Sequence, residues 1–318
     1  MLEKKLINLV TGGAGFIGSH LVDNLMLNKE IVICLDDFST GLKSNIRKWE
    51  NHPRFTTLNH DILNPITNLE VNRIWHFACP ASPRKYQIDP INTSKILFNG
   101  TLNLLELAKK NNAEFLFASS SEVYGNPKIH PQIENYFGNV NPVGLRSCYE
   151  EGKRIAETLC NDFRRIYNLK VRIIRIFNTY GPRMLPDDGR VISNFISQAL
   201  QGKDLTIYGD GLQTRSFCYI EDSVEAILKV MSNKYNGPIN IGNPEEITIK
   251  NLAQIIIFKI NNSLKIKYLS RESDDPQKRK PTIKKAQNEL NWNPKVNLLK
   301  GLDLTISDFK KRNNYSPL

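Results

Sequence analysis

The segment Val10-Thr-Gly-Gly-Ala-Gly-Phe-Ile-Gly18 constrains the fold of this chain more than any other. It follows a short apolar run, 6–10, that reads as a strand, and it opens a stretch, 19–27, that reads as a helix. Gly12, Gly15 and Gly18 permit a tight turn, close backbone approach to a pyrophosphate, and close helix packing. The helix N-terminus adds exposed N–H groups and a dipole that favours an anion. Eighteen residues beyond Gly18, a second predicted strand ends at Asp36-Asp37. An acid there accepts hydrogen bonds from ribose hydroxyls and repels a 2′-phosphate, which favours NAD over NADP. A glycine motif alone is often only a tight turn. Strand, turn, helix, strand and acid in that order predict a dinucleotide site.

The alternation continues downstream. Residues 31–35, 54–58, 73–77, 114–118 and 171–177 read as strands, separated by a helix over 91–111 and another around Tyr149. Such alternation predicts an α/β fold with a doubly wound parallel sheet and ligand at the carboxyl ends of its strands. After Tyr180-Gly-Pro182 the pattern loosens into a helix (191–201), a strand (205–208), a returning helix (217–231) and a strand (238–241). From residue 248, mixed helices and a strand over 266–269 make a smaller α/β cap. The predicted division is a dinucleotide-binding domain over 1–180, with a returning segment at about 214–243, and a sequence-discontinuous substrate-binding cap over most of 181–318.

Chemistry is suggested by Tyr149-Glu-Glu-Gly-Lys153. Positions i and i+4 share a helix face, so Tyr149 and Lys153 point at one spot. A free tyrosine titrates near ~10 and is a poor base at neutral pH, but a neighbouring cation favours its phenolate. Beside a dinucleotide, the pair suggests proton removal from a hydroxyl coupled to hydride transfer. A surface tyrosine beside a solvated lysine is the plainer alternative. The same spacing at Tyr124 and Lys128 is interrupted by Gly125 and Pro127, which break helices. After Tyr149, the residues Ile155, Leu159, Phe163 and Ile166 recur at amphipathic spacing.

Composition narrows the partners. The chain has 318 residues and a formal net charge of +11, yet its basic residues are dispersed and no aromatic-and-basic stripe appears. That favours a solvated surface with one anionic substrate site over nucleic-acid binding. No apolar run reaches the roughly 18 to 20 residues needed to span a bilayer. The opening residues lead directly into the first strand, so a signal peptide is not expected and a cytoplasmic protein is. Cys34, Cys79, Cys148, Cys160 and Cys218 are odd in number and lack C-x-x-C spacing, which predicts buried reduced thiols. No histidine pattern predicts a metal site, and His76 reads as a packing residue.

Several further segments carry a specific resemblance: Ala78-Cys-Pro-Ala-Ser-Pro83, Ala118-Ser-Ser-Ser-Glu-Val-Tyr-Gly125, Cys148-Tyr-Glu-Glu-Gly-Lys-Arg154, Arg175-Ile-Phe-Asn-Thr-Tyr-Gly-Pro-Arg183, Asp188-Gly-Arg-Val191 and Asp274-Asp-Pro-Gln-Lys-Arg-Lys-Pro281. Over nearly the whole chain the sequence resembles extended short-chain dehydrogenases/reductases acting on nucleotide sugars. Within them it is most similar to the UDP-glucuronic acid decarboxylase (UDP-xylose synthase) family. The resemblance implies a Rossmann domain with NAD bound, UDP-glucuronate as substrate, and a homodimer joined through the helices near 91–111 and 149–167.

It also implies roles for named residues. Tyr149 is the expected base, Lys153 its helper, and Ser120 a hydroxyl hydrogen-bonded to the sugar C4 oxygen. Ser121 stands where sister 4,6-dehydratases carry an aspartate, and leaves room for a carboxylate. Glu122 is expected to assist decarboxylation or reprotonation, and Arg279 to grip the carboxylate or diphosphate. NAD contacts are implied for Phe16, Ile17, Phe38, Ser39, Thr40, Gly41, Asp61, Ile62, Ala78, Lys95, Tyr149 and Lys153, besides the glycines, Asp36 and Asp37. Substrate contacts are implied for Pro83, Tyr86, Lys95, Glu122, Asn178, Arg190, Val191, Tyr208, Gln213, Arg215 and Arg279. The sequence departs from the family at Cys79 and at Ile96-Leu97. Ser121 and the 274–281 segment argue against a UDP-hexose 4-epimerase or a 4,6-dehydratase. Retention of Tyr149, Lys153, Glu122 and Arg279 argues against a catalytically silent NAD-binding regulator.

Overall fold

The structure, a computed structural model, describes residues 6–235, 237–270 and 276–312. Its first half runs β1 (Ile7–Thr11), α1 (Phe16–Leu27), β2 (Ile31–Asp36), β3 (Phe55–Asn59), β4 (Arg73–His76), α2 (Pro83–Tyr86), α3 (Pro90–Lys95), α4 (Thr101–Asn111), β5 (Glu114–Ser120), α5 (Ser147–Tyr167) and β6 (Val171–Ile176). The remainder runs β7 (Thr179–Tyr180), α6 (Val191–Leu200), β8 (Leu205–Tyr208), β9 (Thr214–Ser216), β10 (Cys218–Tyr219), α7 (Ile220–Ser232), β11 (Pro238–Ile241), β12 (Glu246–Thr248), α8 (Ile249–Ile260), β13 (Ile266–Leu269), β14 (Lys278–Arg279), α9 (Lys284–Leu290) and α10 (Leu298–Arg312).

Seven of these strands form one parallel sheet in the order β11-β6-β5-β4-β1-β2-β3. Alternate side chains of each strand enter opposite layers. Val10, Trp75, Leu116 and Ile174 pack with α1, α7 and α9 on one face. Leu9, Ile74, Phe115, Phe117 and Ile173 pack with α4 and α5 on the other. Strand order reverses between β1 and β4, so their carboxyl ends open the crevice where ligands bind in such sheets. The predicted doubly wound α/β sheet is the one observed.

The cap has its own core from α6, β8, α8 and α10. Two small sheets, β12-β9-β14 and β13-β8, complete it. Residues 214–216 pair there as β9, so the chain returns to the main sheet at α7, not at residue 214. The helix expected over 217–231 begins only at Ile220, because Cys218 and Tyr219 pair in parallel with Thr179 and Tyr180.

Two other local expectations need correction. The helix expected over 91–111 is interrupted by one wide π turn at Ile96–Gly100, where a Cβ on Gly100 would crowd Ile62. In α5 the buried stripe is Tyr149, Gly152, Lys153, Ala156, Cys160 and Phe163. Ile155 and Ile166 instead stand 39% and 64% exposed. Gly152 fits the stripe because a side chain there would collide with Leu97. Cys34, Cys160 and Cys218 are buried thiols, whereas Cys79 and Cys148 are only half-buried. His76 is buried between Thr11 and Thr101, with a ring nitrogen 3.0 Å from each hydroxyl. No helix among the described residues is long and apolar enough to cross a membrane.

Candidate active site

One continuous cavity runs from the glycine turn across the carboxyl ends of the sheet to the cap. Its first part is shaped by backbone. Gly12 takes a positive φ of +67°, and a Cβ on Gly18 would overlap the Gly12 carbonyl oxygen. Side chains on this turn would fill the space a pyrophosphate needs. Gly12, Gly15, Phe16, Ile17, Gly18, Asp36, Asp37, Ser39, Thr40, Asp61, Ile62 and Ala78 all line the cavity. Buried Asp36 accepts N–H bonds from Ala14 and Phe38, each at 2.9 Å. Burial pushes its carboxyl up, and those two bonds oppose the shift. Asp37 braces its own turn through the Ser39 N–H and hydroxyl. These features fit a dinucleotide whose ribose meets Asp36.

The second part gathers Ser120, Ser121, Glu122, Tyr149, Lys153, Asn178, Arg190 and Arg279. Ser120 to Glu122 follow directly from β5, while Tyr149 and Lys153 come from the first turns of α5. The Ser120 hydroxyl accepts the Glu122 N–H at 3.2 Å and hydrogen-bonds the Tyr149 side chain. Ser119 also lines the cavity, and its hydroxyl donates to Glu157 at 2.6 Å.

Burial pushes the Tyr149 phenol well up, with the neighbouring Cys79 and Glu122 adding to the shift. Lys153 stands on the same buried face of α5 as Tyr149. Its ammonium donates to the Ala118 carbonyl at 2.6 Å and lies 5.6 Å from the Tyr149 ring centroid.

Glu122 sits between two guanidinium groups. Arg146 Nη2 lies 2.8 Å from Oε2, and Arg279 Nη1 lies 3.6 Å from Oε1. Burial alone would raise this carboxyl, yet Arg146 and Arg279 hold it below the usual glutamate range. Arg279 is 5% exposed. Its Nε and Nη2 are buried with no hydrogen-bond partner among the described residues. Buried guanidinium donors left unpaired are costly, so this group suits an anion brought by a ligand. Its strand, β14, pairs with β9, and Gln132 from the opposite side exchanges hydrogen bonds with Lys280. Asp274 and Asp275, part of the distinctive basic segment, lie outside the described residues.

Other expected contacts fall elsewhere. Tyr86 has no exposed surface to offer a ligand; it stacks against the Tyr149 ring instead. Lys95 is exposed at the end of α3, and its neighbour Ile96 lines the cavity. Pro83, Phe38, Gly41 and Val191 also stand outside the cavity wall. Tyr208, Gln213 and Arg215 lie on β8, β9 and the turn between them. There Gln213 donates to the Tyr208 carbonyl, and Arg215 to the carbonyls of Thr214 and Gln277. The sequence reading missed Arg146, Lys85 and Arg183. Arg146 stands four residues before Glu150, a helical pairing distance, which is the one signal that could have drawn attention to it.

Comparison with known proteins bears on this geometry. The sequence profile described as "NAD dependent epimerase/dehydratase family" matches residues 8–242. UDP-glucuronic acid decarboxylase 3 of Arabidopsis thaliana is 54% identical over 307 residues, spanning 96% of this chain and 90% of that protein. UDP-glucuronic acid decarboxylase 1 of Xenopus tropicalis is 50% identical over 303 residues, spanning 95% of this chain and 72% of that protein. Among solved structures, UDP-glucuronic acid 4-epimerase from Bacillus cereus, in complex with UDP-glucuronic acid and NAD, superposes with a TM-score of 0.87. It is 31% identical, covering 96% of this chain and all of that one.

Proposed function

The chain belongs to the NAD-dependent epimerase/dehydratase family, among its UDP-glucuronic acid decarboxylases, and we propose that it converts UDP-glucuronate to UDP-xylose and CO2 through a UDP-4-keto sugar. The observation that carries this reading is the buried Arg279, with Nε and Nη2 unpaired among the described residues, in the same cavity as Tyr149 and Glu122.

In this reading Tyr149 takes the proton of the 4-hydroxyl while Ser120 holds the C4 oxygen. NAD, when bound, supplies a hydride acceptor at C4 and returns the hydride at the end, so no external reductant is consumed. Oxidation at C4 makes the C6 carboxylate part of a β-keto acid. The C5–C6 bond then breaks with its electrons delocalised into the ketone as an enolate, and CO2 leaves. Arg279 orients the carboxylate before that step, and Glu122 assists decarboxylation or reprotonation at C5. Tyr149 gives its proton back to the C4 oxygen as the reduced sugar forms. Ser121, a buried hydroxyl where elimination of water would need an acid, fits loss of CO2 better than dehydration. Lys153 braces the floor of the site through the Ala118 carbonyl.

The reading extends to the cap and the assembly. Dinucleotide binding falls to the part before residue 181 with the returning helix and β11. The cap supplies Arg279, and Tyr208, Gln213 and Arg215 on its sheets serve the nucleotide end of the substrate. A homodimer through α3 to α5 is supported by the exposed apolar side chains Ile91, Ile155, Ile166 and Tyr167, and light scattering would measure it. A cytoplasmic location belongs to the same proposal. The deciding experiment incubates the protein with UDP-glucuronate and NAD+ and follows CO2 and UDP-xylose by mass spectrometry, with Tyr149→Phe as control. UDP-galacturonate without CO2 would place the chain with the epimerases instead.

A further inference from the structure

The contacts around Glu122 are unequal. Its Oε2 lies 2.8 Å from Arg146, within charge-assisted hydrogen-bond distance, while its Oε1 lies 3.6 Å from Arg279, beyond it. The three side chains are nearly buried, at 11% for Arg146, 10% for Glu122 and 6% for Arg279. Arg146 stands just before α5 and lies outside the cavity wall. Its Nε approaches Glu150 at 3.6 Å. The Tyr86 hydroxyl also approaches Glu122 Oε2, at 3.4 Å.

We propose that Arg146 is a positioning residue for decarboxylation, drawing Glu122 to itself so that Arg279 stays open to the sugar carboxylate. This rests on the function proposed above. A carboxylate 3.6 Å from Arg279 is close enough to neutralise it if nothing else competes. Were Glu122 to swing over, a substrate carboxylate would meet a neutral pair and an adjacent negative charge. Arg146 prevents this by supplying the closer and better-aligned cation. The unpaired Nε and Nη2 of Arg279 are the result. Arg146 does so without lining the site, through its contact with Glu122.

The charged and titratable groups facing Glu122 come from several elements. Tyr86 comes from α2 and Arg279 from β14, Arg190 precedes α6, Arg146 precedes α5, and Cys148, Tyr149 and Glu150 lie on α5. Of the cations, Arg146 does most to keep Glu122 ionised. Its removal therefore also moves Glu122 protonation to higher pH.

The test is a mutant cycle of wild type, Arg146→Met, Glu122→Gln and the double variant. Binding of UDP-glucuronate and UDP-glucose to each NAD-loaded protein is measured by titration calorimetry. Arg146→Met should weaken UDP-glucuronate by about tenfold or more while leaving UDP-glucose and NAD within about twofold. With Glu122→Gln already present, Arg146→Met should add nothing, and Arg146→Lys should restore part of the lost preference. The acid limb of CO2 release in single turnover should shift upward in Arg146→Met. Equal weakening of both sugars, additive effects in the cycle, or an unshifted acid limb would each overturn the proposal. If Arg146→Met does not fold, Arg146→Lys in the two Glu122 backgrounds carries the same test. A wild-type protein that releases no CO2 would sink the function itself, a result distinct from an additive cycle in an active enzyme.

Discussion

The rings of Tyr86 and Tyr149 lie 4.9 Å apart at their centroids and within 7° of parallel. Tyr86 is thus a platform for the reacting phenol. Removing the platform by Tyr86→Ala should lower turnover on the order of tenfold, the scale of one aromatic pair. The cavity left behind should cost about 3 to 5 kcal/mol of stability, read as a lower melting temperature. Tyr86→Phe keeps the stack and loses only the hydroxyl near Glu122. It should leave formation of the reduced cofactor in single turnover within about twofold and slow CO2 release more, as in loss of a weak hydrogen bond. A Tyr86→Ala enzyme with wild-type turnover would remove the platform role.

Arg279→Ala should weaken UDP-glucuronate more than UDP-glucose, since only the former carries a C6 carboxylate. Removing one partner of a buried charge-assisted pair costs on the order of 2 to 5 kcal/mol. Titration of both nucleotides measures the difference. Equal losses would assign Arg279 to the diphosphate.

Asp36 should make NADP unfavourable, because a 2′-phosphate would meet a buried carboxylate that already accepts two backbone N–H bonds. The native protein should bind NAD more tightly than NADP. Asp36→Ala should weaken NAD and narrow that preference, and calorimetry with the two cofactors would show equal affinities if Asp36 is not the discriminating group.

Two histidines set an acid limit to stability. Burial lowers His20 to about 4, aided by Arg183, and lowers His76 to about 3, aided by Lys153. Both are neutral in the fold, so below pH 6.5 the unfolded chain takes up their protons first. Stability should therefore fall from about pH 6.5 downward, with His20 contributing roughly 2 to 3 kcal/mol by about pH 4. His20→Gln should flatten the melting temperature across that interval. An unchanged slope would show that His20 does not titrate there.

Much of the fold was legible because its signals are local. The Gly12–Gly18 turn, the apolar strands and the acid at Asp36 each declare themselves within a few residues. Features set by packing were not. At the π turn of Ile96–Gly100 the close approach of Ile62 to Gly100 comes from a segment distant in sequence, and β10 depends on its pairing with Thr179 and Tyr180, also distant. In α5 the apolar spacing of Ile155 and Ile166 pointed to an inner face that Tyr149, Gly152 and Lys153 occupy instead. Resemblance placed Tyr149, Glu122 and Arg279 together, but no spacing could show Arg146 against Glu122 or Tyr86 against Tyr149. Those contacts exist only after α2, β5 and α5 have converged.

Arg279 enters the site from the two-residue strand β14, with Lys278 before it in the strand and Lys280 directly after. Its partner bonds to β9 and Gln132 therefore do more than hold a loop. A slip of one residue in that ladder would reverse which side chains face inward and bring a lysine toward the cavity. The charge would be kept, but the planar fork able to grip a carboxylate with two parallel bonds would be lost. On the proposed role of Arg279, a preference for an acid sugar would be encoded in strand register as much as in side-chain identity, and a backbone error there would spare the protein's charge while altering its chemistry.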